Sequence, residues 1–164
     1  MDEMKAARGR TVVMQPSDGM SFWQPKPASG YAEIKLRPAE TGFDGLSMGY
    51  QTVAPGGRVR AHSHDRQVEI QICFRGVGTL LADGVRHPLA PGTTCFLGCD
   101  VHHEIANESD GDLVLIWIIS PPGLEDFFAA IDRPRREGEP SPAPFDRPTG
   151  VAAMEREAGM AVPE

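Results

Sequence analysis

The apolar positions of this chain fall into three regimes. Between residues 46 and 120 they alternate with polar ones in short runs: "LSMGYQTVA", "RVRAHSH", "VEIQICF", "GTLLADGVRHPLAPG", "TTCFLG", "HHEIAN" and "LVLIWIIS". A period of two marks a strand with one face turned inward. Pro55-Gly56-Gly57 ends the first run. Asp83-Gly84 sits between two short strands, where a type I′ turn needs positive φ at both central residues. Strands repeating every roughly 8–12 residues with turn chemistry between them predict a sandwich, jelly roll or barrel.

On either side the pattern loosens. Residues 1–45 carry "SFWQPKP" and "YAEIKL"; in the latter Tyr31, Ile34 and Leu36 alternate imperfectly, which still predicts a strand. This stretch reads as an N-terminal arm packing on the barrel or on a partner subunit. In residues 121–164, "GLEDFFAAI" has helical spacing at Leu124, Phe127, Phe128 and Ile131, with acids in its first turn. That helix is expected to pack on the barrel rather than act as a mobile lid. "RPRREGEPSPAPFDRP" predicts extended or mobile chain, and "TGVAAMEREAGM" a short helix capped by Thr149. The predicted whole is an all-β domain over 46–120 with an N-terminal arm and short C-terminal helices.

Composition narrows the function. The chain of 164 residues is 40% hydrophobic and 24% charged, as expected of a folded globular protein. Its 18 glycines and 15 prolines lie between the apolar runs and agree with a turn-rich β fold. The net charge of −7 argues against nucleic acid or an anionic membrane as a partner. Cys73, Cys95 and Cys99 form no Cys-x-x-Cys pair, so neither a disulfide framework nor a zinc ribbon is expected, which suits a reducing cytoplasm. The charged "MDEMKAARGRTVVMQ" has no apolar core, so no signal peptide is expected, and no apolar run is long enough for a membrane span. A small-molecule substrate remains the natural partner.

The candidate chemistry sits in "RAHSHDRQVE", residues 60–69. His62 and His64 are two apart and share a strand face. Glu69 follows after an odd interval, so one straight strand would aim it away; a turn at Asp65-Arg66 resets the phase. Two imidazoles and a carboxylate converging form a first-row transition-metal arrangement. Alone, His-x-His is more often polar surface. Downstream, "GTTCFLGCDVHHEIAN" adds His103, with Asn107 four residues on along the same face. Three neutral imidazoles and one carboxylate leave about two open positions on an octahedral ion. His102 points the other way, and His87 reads as solvated surface.

Other residues were weighed beside these. Gln71 shares a face with Glu69 and Arg60 with His62, which makes both candidate catalytic residues. Gln71 would accept the second N–H of a ligating imidazole or bind substrate. Arg60 would anchor a substrate carboxylate or, as exposed arginines more often do, form a rim ion pair. Cys73 and Phe96 are expected to line or fill the barrel, and Trp117 to lie in the core. Gly45-Leu46-Ser47-Met48-Gly49 matches the nucleophile elbow of serine hydrolases. That motif requires strand, turn and helix, whereas this run stays strand-like through Val53 and meets Pro55-Gly56-Gly57. The hydrolase reading is rejected on that context.

The stretch "GGRVRAHSHDRQVEIQICFRG" resembles the first motif of the cupin superfamily: Gly56, five residues, His62-x-His64, four residues, Glu69, six residues, Gly76. Gly92, His103 and Asn107 match the second motif at its spacing. Gly98 stands where the family usually has proline, and Asp100 where it has its second glycine. The resemblance covers residues 46–119 and implies a cupin jelly-roll barrel with His62, His64, Glu69 and His103 as metal ligands. It further implies a mononuclear divalent transition metal, Fe2+ first, with Mn2+, Ni2+ or Zn2+ as alternatives. Resemblance to single-domain cupin dioxygenases implies an enzyme acting on a small organic molecule with O2. The alternatives are a redox-neutral lyase, isomerase or polyketide cyclase-like enzyme, and a non-catalytic sensor, although sensors often lose a ligand. A homodimer built through the N-terminal arm is also implied.

Overall fold

The computed structural model describes residues 9–163, so the first eight residues of the predicted arm lie outside the described residues. The strands are β1 (Met20–Trp23), β2 (Tyr31–Leu36), β3 (Ser47–Val53), β4 (Arg58–His64), β5 (Val68–Arg75), β6 (Gly78–Ala82), β7 (Val85–Leu89), β8 (Thr94–Leu97), β9 (His103–Ala106), β10 (Leu113–Ser120), β11 (Arg133–Pro134) and β12 (Met160–Ala161). Three short helices join them: α1 (Pro38–Thr41), α2 (Leu124–Ile131) and α3 (Val151–Glu157). Every alternating run of residues 46–120 is a strand, and the fold is the all-β jelly roll expected.

The strands form two antiparallel sheets, ordered β11-β1-β2-β3-β10-β5-β8 and β12-β4-β9-β6-β7. Asp83 (φ 45°) and Gly84 (φ 81°) are both left-handed between β6 and β7, as the hairpin requires. Gly49 lies mid-strand because a Cβ there would overlap the Glu33 carbonyl and the Trp117 ring. That packing, with Ser47 opening a strand, is incompatible with a nucleophile elbow.

Inward residues of β10 divide the interior. Leu113 and Leu115 join Val53, Cys73, Leu80, Leu89, Leu97 and Ile105 in one apolar cluster. Trp117 and Ile119 join Ala32, Ile34, Met160 and the apolar face of α2 in another. Each fully buried large side chain contributes about 1.5–3 kcal/mol through removal from water. Between the clusters β5 turns Glu69 and Gln71 inward, opposite Ile119 and Trp117 of β10. A polar band is thereby held between the two apolar clusters.

Two details differ from expectation. Phe96 points out and is 70% exposed, because Leu97 takes the inward position of β8. Thr149 does not cap α3; Gly150, in a left-handed conformation, occupies that position without a side-chain hydrogen bond. The proline-rich stretch is extended and strapped down: β11 pairs with β1, Trp23 Nε1 donates to Glu139 Oε2 at 3.2 Å, and Lys26 N donates to the Phe145 carbonyl at 2.9 Å. The predicted arm contributes β1 and β2 to the larger sheet. No helix among the described residues is long and apolar enough to cross a membrane.

Asn107 is a staple and not a ligand. Its Nδ2 donates to the carbonyls of Val53 (2.9 Å), Ala54 (3.2 Å) and Gly111 (2.8 Å), while Oδ1 accepts from Ser109. Asn107→Ala strands buried carbonyls and should lower the urea-unfolding free energy by about 3 kcal/mol while leaving the metal stoichiometry unchanged.

Candidate metal centre

Each donor of the predicted set is delivered by a strand. β4 turns His62 and His64 inward, and β9 pairs with β4 in register at His62 and His103. Ring centroids of His62 and His103 are 4.2 Å apart, and those of His62 and His64 5.0 Å. Glu69 comes from β5 of the opposing sheet, after a bend at Asp65-Arg66 that reverses its facing as predicted. One ligand atom from each of the four lies within 4.8 Å of all the others, and all four residues are buried. The turn before His103 tolerates the sequence departures: Asp100 takes the left-handed φ of 62°, and its N–H donates to the His64 carbonyl at 2.8 Å.

Backbone carbonyls set the tautomers. His62 Nδ1 lies 2.7 Å from the Arg60 carbonyl and His103 Nδ1 2.9 Å from the Val101 carbonyl. A carbonyl only accepts, so each Nδ1 carries the proton and each Nε2 turns its lone pair inward. Glu69 Oε2 lies 3.4 Å from the Nε2 atoms of both His64 and His103, close enough for charges to couple but beyond a well-formed hydrogen bond. Glu69 Oε2, His103 Nε2 and both ring nitrogens of His64 are buried without any hydrogen-bond partner. Three of these, Glu69 Oε2 and the Nε2 atoms of His64 and His103, face one another, and a divalent cation between them would be their common partner. The donor set therefore fits a transition metal.

The protonation states agree. Burial favours a neutral Glu69, but His103 and His64 beside it outweigh that and hold it down at about 2. Burial holds His62 down at about 3, with His103 and His64 adding to the effect. Burial acts on His103 in the same sense, yet contact with Glu69 wins and raises it. Glu69 is thus held ionised and His62 neutral, the forms in which a carboxylate and an imidazole ligate a cation.

Of the two candidate catalytic residues, Arg60 forms an ion pair as expected and Gln71 has another partner. Gln71 accepts no imidazole N–H: those of His62 and His103 go to backbone carbonyls, and Gln71 Nε2 donates to Glu69 Oε1 at 2.7 Å. That bond orients the carboxylate so that Oε2 faces the imidazoles. Arg60 forms an ion pair with Glu155 of α3, the rim role weighed above, while its backbone carbonyl holds His62.

A cavity with about 60 Å³ for the centres of water molecules opens on this cluster, with His62, Glu69 and Gln71 in its lining. Leu124, Phe127, Phe128 and Ile131 of α2 form an apolar wall, so this helix both packs and closes the mouth. Sequence reasoning missed Arg147 and Glu155, which also line the cavity, and the Gln51–Gln24 amide pair at 3.0 Å. No spacing rule links residues so far apart in the chain. His102 and His87 are exposed, as expected.

Residues 49–119 match the family model described as a cupin domain. The fold is similar to that of a predicted oxalate decarboxylase from Thermotoga maritima (22% identity, TM-score 0.59, covering 68% of this chain and 100% of that one). It is also similar to an RmlC-like cupin from Shewanella frigidimarina (18%, 0.59, 73% and 97%). A sugar phosphate isomerase of the cupin superfamily from Silicibacter pomeroyi is a third likeness (17%, 0.51, 64% and 71%). At such identities the likeness shows the fold. No curated protein matches the sequence.

Two outcomes follow from this geometry. Gln71→Leu removes the donor to Glu69 Oε1 and should weaken metal affinity by roughly 10- to 100-fold in a chelator competition, with the fold retained. The metal-free protein should lose stability in acid. The folded pKa of His62, about 3, lies below its ordinary 6.5, so its contribution is complete above about pH 6.5 and is lost as pH falls toward 3. Glu69, lowered from 4.5 to about 2, adds a loss at still lower pH. His103, raised, contributes in the opposite sense, with its share complete below pH 6.5 and lost as pH rises through its folded pKa. Urea unfolding should therefore give a free energy that declines from pH 6 to pH 4; a flat profile contradicts this account.

Proposed function

We propose that this chain is a cupin and a mononuclear divalent-metal enzyme acting on a small organic molecule, with the chemistry of an Fe2+ dioxygenase. The observation that carries the reading is the convergence of His62, His64, Glu69 and His103 on one point, with orphaned donors, beside a cavity that His62 and Glu69 line. Fe2+ bound there supplies redox chemistry with O2, whereas Mn2+, Ni2+ or Zn2+ supplies Lewis-acid polarisation.

The chain's own residues do the rest. Three neutral imidazoles and one carboxylate leave a divalent ion with about one net positive charge, which favours an anionic or enolic ligand at the open positions. Gln71 Oε1, buried in the cavity lining without a partner, is free to accept a hydrogen bond from such a ligand. The apolar wall of α2 excludes water.

The ionisable residues lining the cavity, apart from the candidate ligands, are Lys26, Arg58, Arg60, Arg147 and Glu155. Glu155 is held by two arginines, and Lys26 pairs with Asp146 at 2.8 Å. The three cysteines are unpaired, which supports a reducing cytoplasm as the compartment.

Protein loaded anaerobically with Fe2+ and mixed with a panel of small carboxylic acids and enediols should consume O2 in step with substrate. The His62→Ala/His64→Ala double variant should consume none. Conversion without O2 uptake would move the assignment to the redox-neutral class, and tight binding without turnover under any of the four metals to a sensor.

A further inference from the structure

Glu155 Oε1 receives both Arg60 Nη2 and Arg147 Nη1, the latter at 2.6 Å. All three side chains line the cavity that opens on His62 and Glu69. Two guanidinium groups share one carboxylate oxygen, so one positive charge faces the cavity uncompensated. Arg60 Nε is buried and has no partner. The other cations of the lining have their own carboxylates: Lys26 has Asp146, and Arg58 has Glu104 at 3.7 Å. Asp132, near Arg147, does not take up the surplus, because burial keeps it protonated at neutral pH, with a pKa pushed up to about 8.

Glu155 and Arg147 come from the C-terminal segment, outside residues 49–119. This segment closes over the site. β12 pairs Met160 with His64, Asp65 N donates to the Gly159 carbonyl at 2.9 Å, and Val151, Met154 and Ala158 pack on the apolar cluster of α2.

We propose that Arg60 and Arg147 form an anion subsite that seats the carboxylate of a small carboxylic-acid substrate, and that Glu155 is its internal placeholder. A carboxylate is the natural exchange partner for Glu155, because it meets the planar guanidinium donors with the same geometry. The cavity, with about 60 Å³ for the centres of water molecules, favours a small acid. Its other end reaches toward His62 and Glu69. The inference names the substrate class for the metal-centre reading above and rests on it.

Isothermal titration with malonate, acetate and acetamide, on metal-free and Zn2+-loaded protein, tests the proposal. Both acids should bind and acetamide should not. Arg147→Gln, in irregular chain before α3, should weaken malonate by at least about tenfold in both forms, the loss expected for one charge-assisted hydrogen bond. Glu155→Gln should tighten malonate by removing the placeholder. Acetamide binding as well as malonate, or malonate affinity unchanged in Arg147→Gln, overturns the proposal; so does unchanged or weaker binding in Glu155→Gln. If a variant fails to fold by circular dichroism, the other variant and the wild-type preference for acid over amide decide. Metal content measured on the same samples separates the failures. Retained metal with no dependence on Arg147 sinks this inference alone, and absent metal sinks the metal-centre reading.

Discussion

A carboxylate enclosed with three imidazoles, its Oε2 and two facing Nε2 atoms unpaired, is the constraint from which the rest of the structure follows. An unpaired charge in a low-dielectric interior is strongly disfavoured, and so are bare imidazole nitrogens. One divalent cation satisfies all of them together. Delivering the four donors to it needs two facing sheets, since β4 and β9 carry the histidines and β5 carries Glu69. The apolar clusters on either side keep water away from the polar band and hold the strands at fixed separation.

The site rests on strands and backbone rather than on loops, which is what a fixed coordination geometry needs. Carbonyls of Arg60 and Val101 choose the imidazole tautomers, and Gln71 aims the carboxylate. The specificity elements have a different origin. Arg147 and Glu155 lie in a tail that crosses the barrel mouth and adds β12 beside His64. The jelly-roll barrel supplies the four converging donors, and the C-terminal segment adds Arg147 and Glu155 to the cavity beside them.

The central barrel was legible because period-two alternation and punctuating glycines are local signals. Asp83-Gly84 announced its hairpin, and the bend at Asp65-Arg66 told how Glu69 could face the histidines. Phe96 was misread because Cys95-Phe96-Leu97 is apolar throughout and carries no phase. Thr149 was misread as a cap because Gly150 next to it takes the left-handed position instead. The partners of Gln71 and Arg60 were hidden for a deeper reason. Gln71 was displaced from the imidazoles by main-chain carbonyls, which no side-chain pattern displays. Arg60 was claimed by Glu155, a residue brought near only by the folding of the tail.

X-ray absorption at the metal edge of the reconstituted protein tests the central claim most directly. This account predicts one ion per chain with a first shell of nitrogen and oxygen, showing the multiple scattering of about three imidazoles and one carboxylate. Sulfur in the first shell, scattering from fewer than two imidazoles, or a spectrum of the hydrated ion would contradict it.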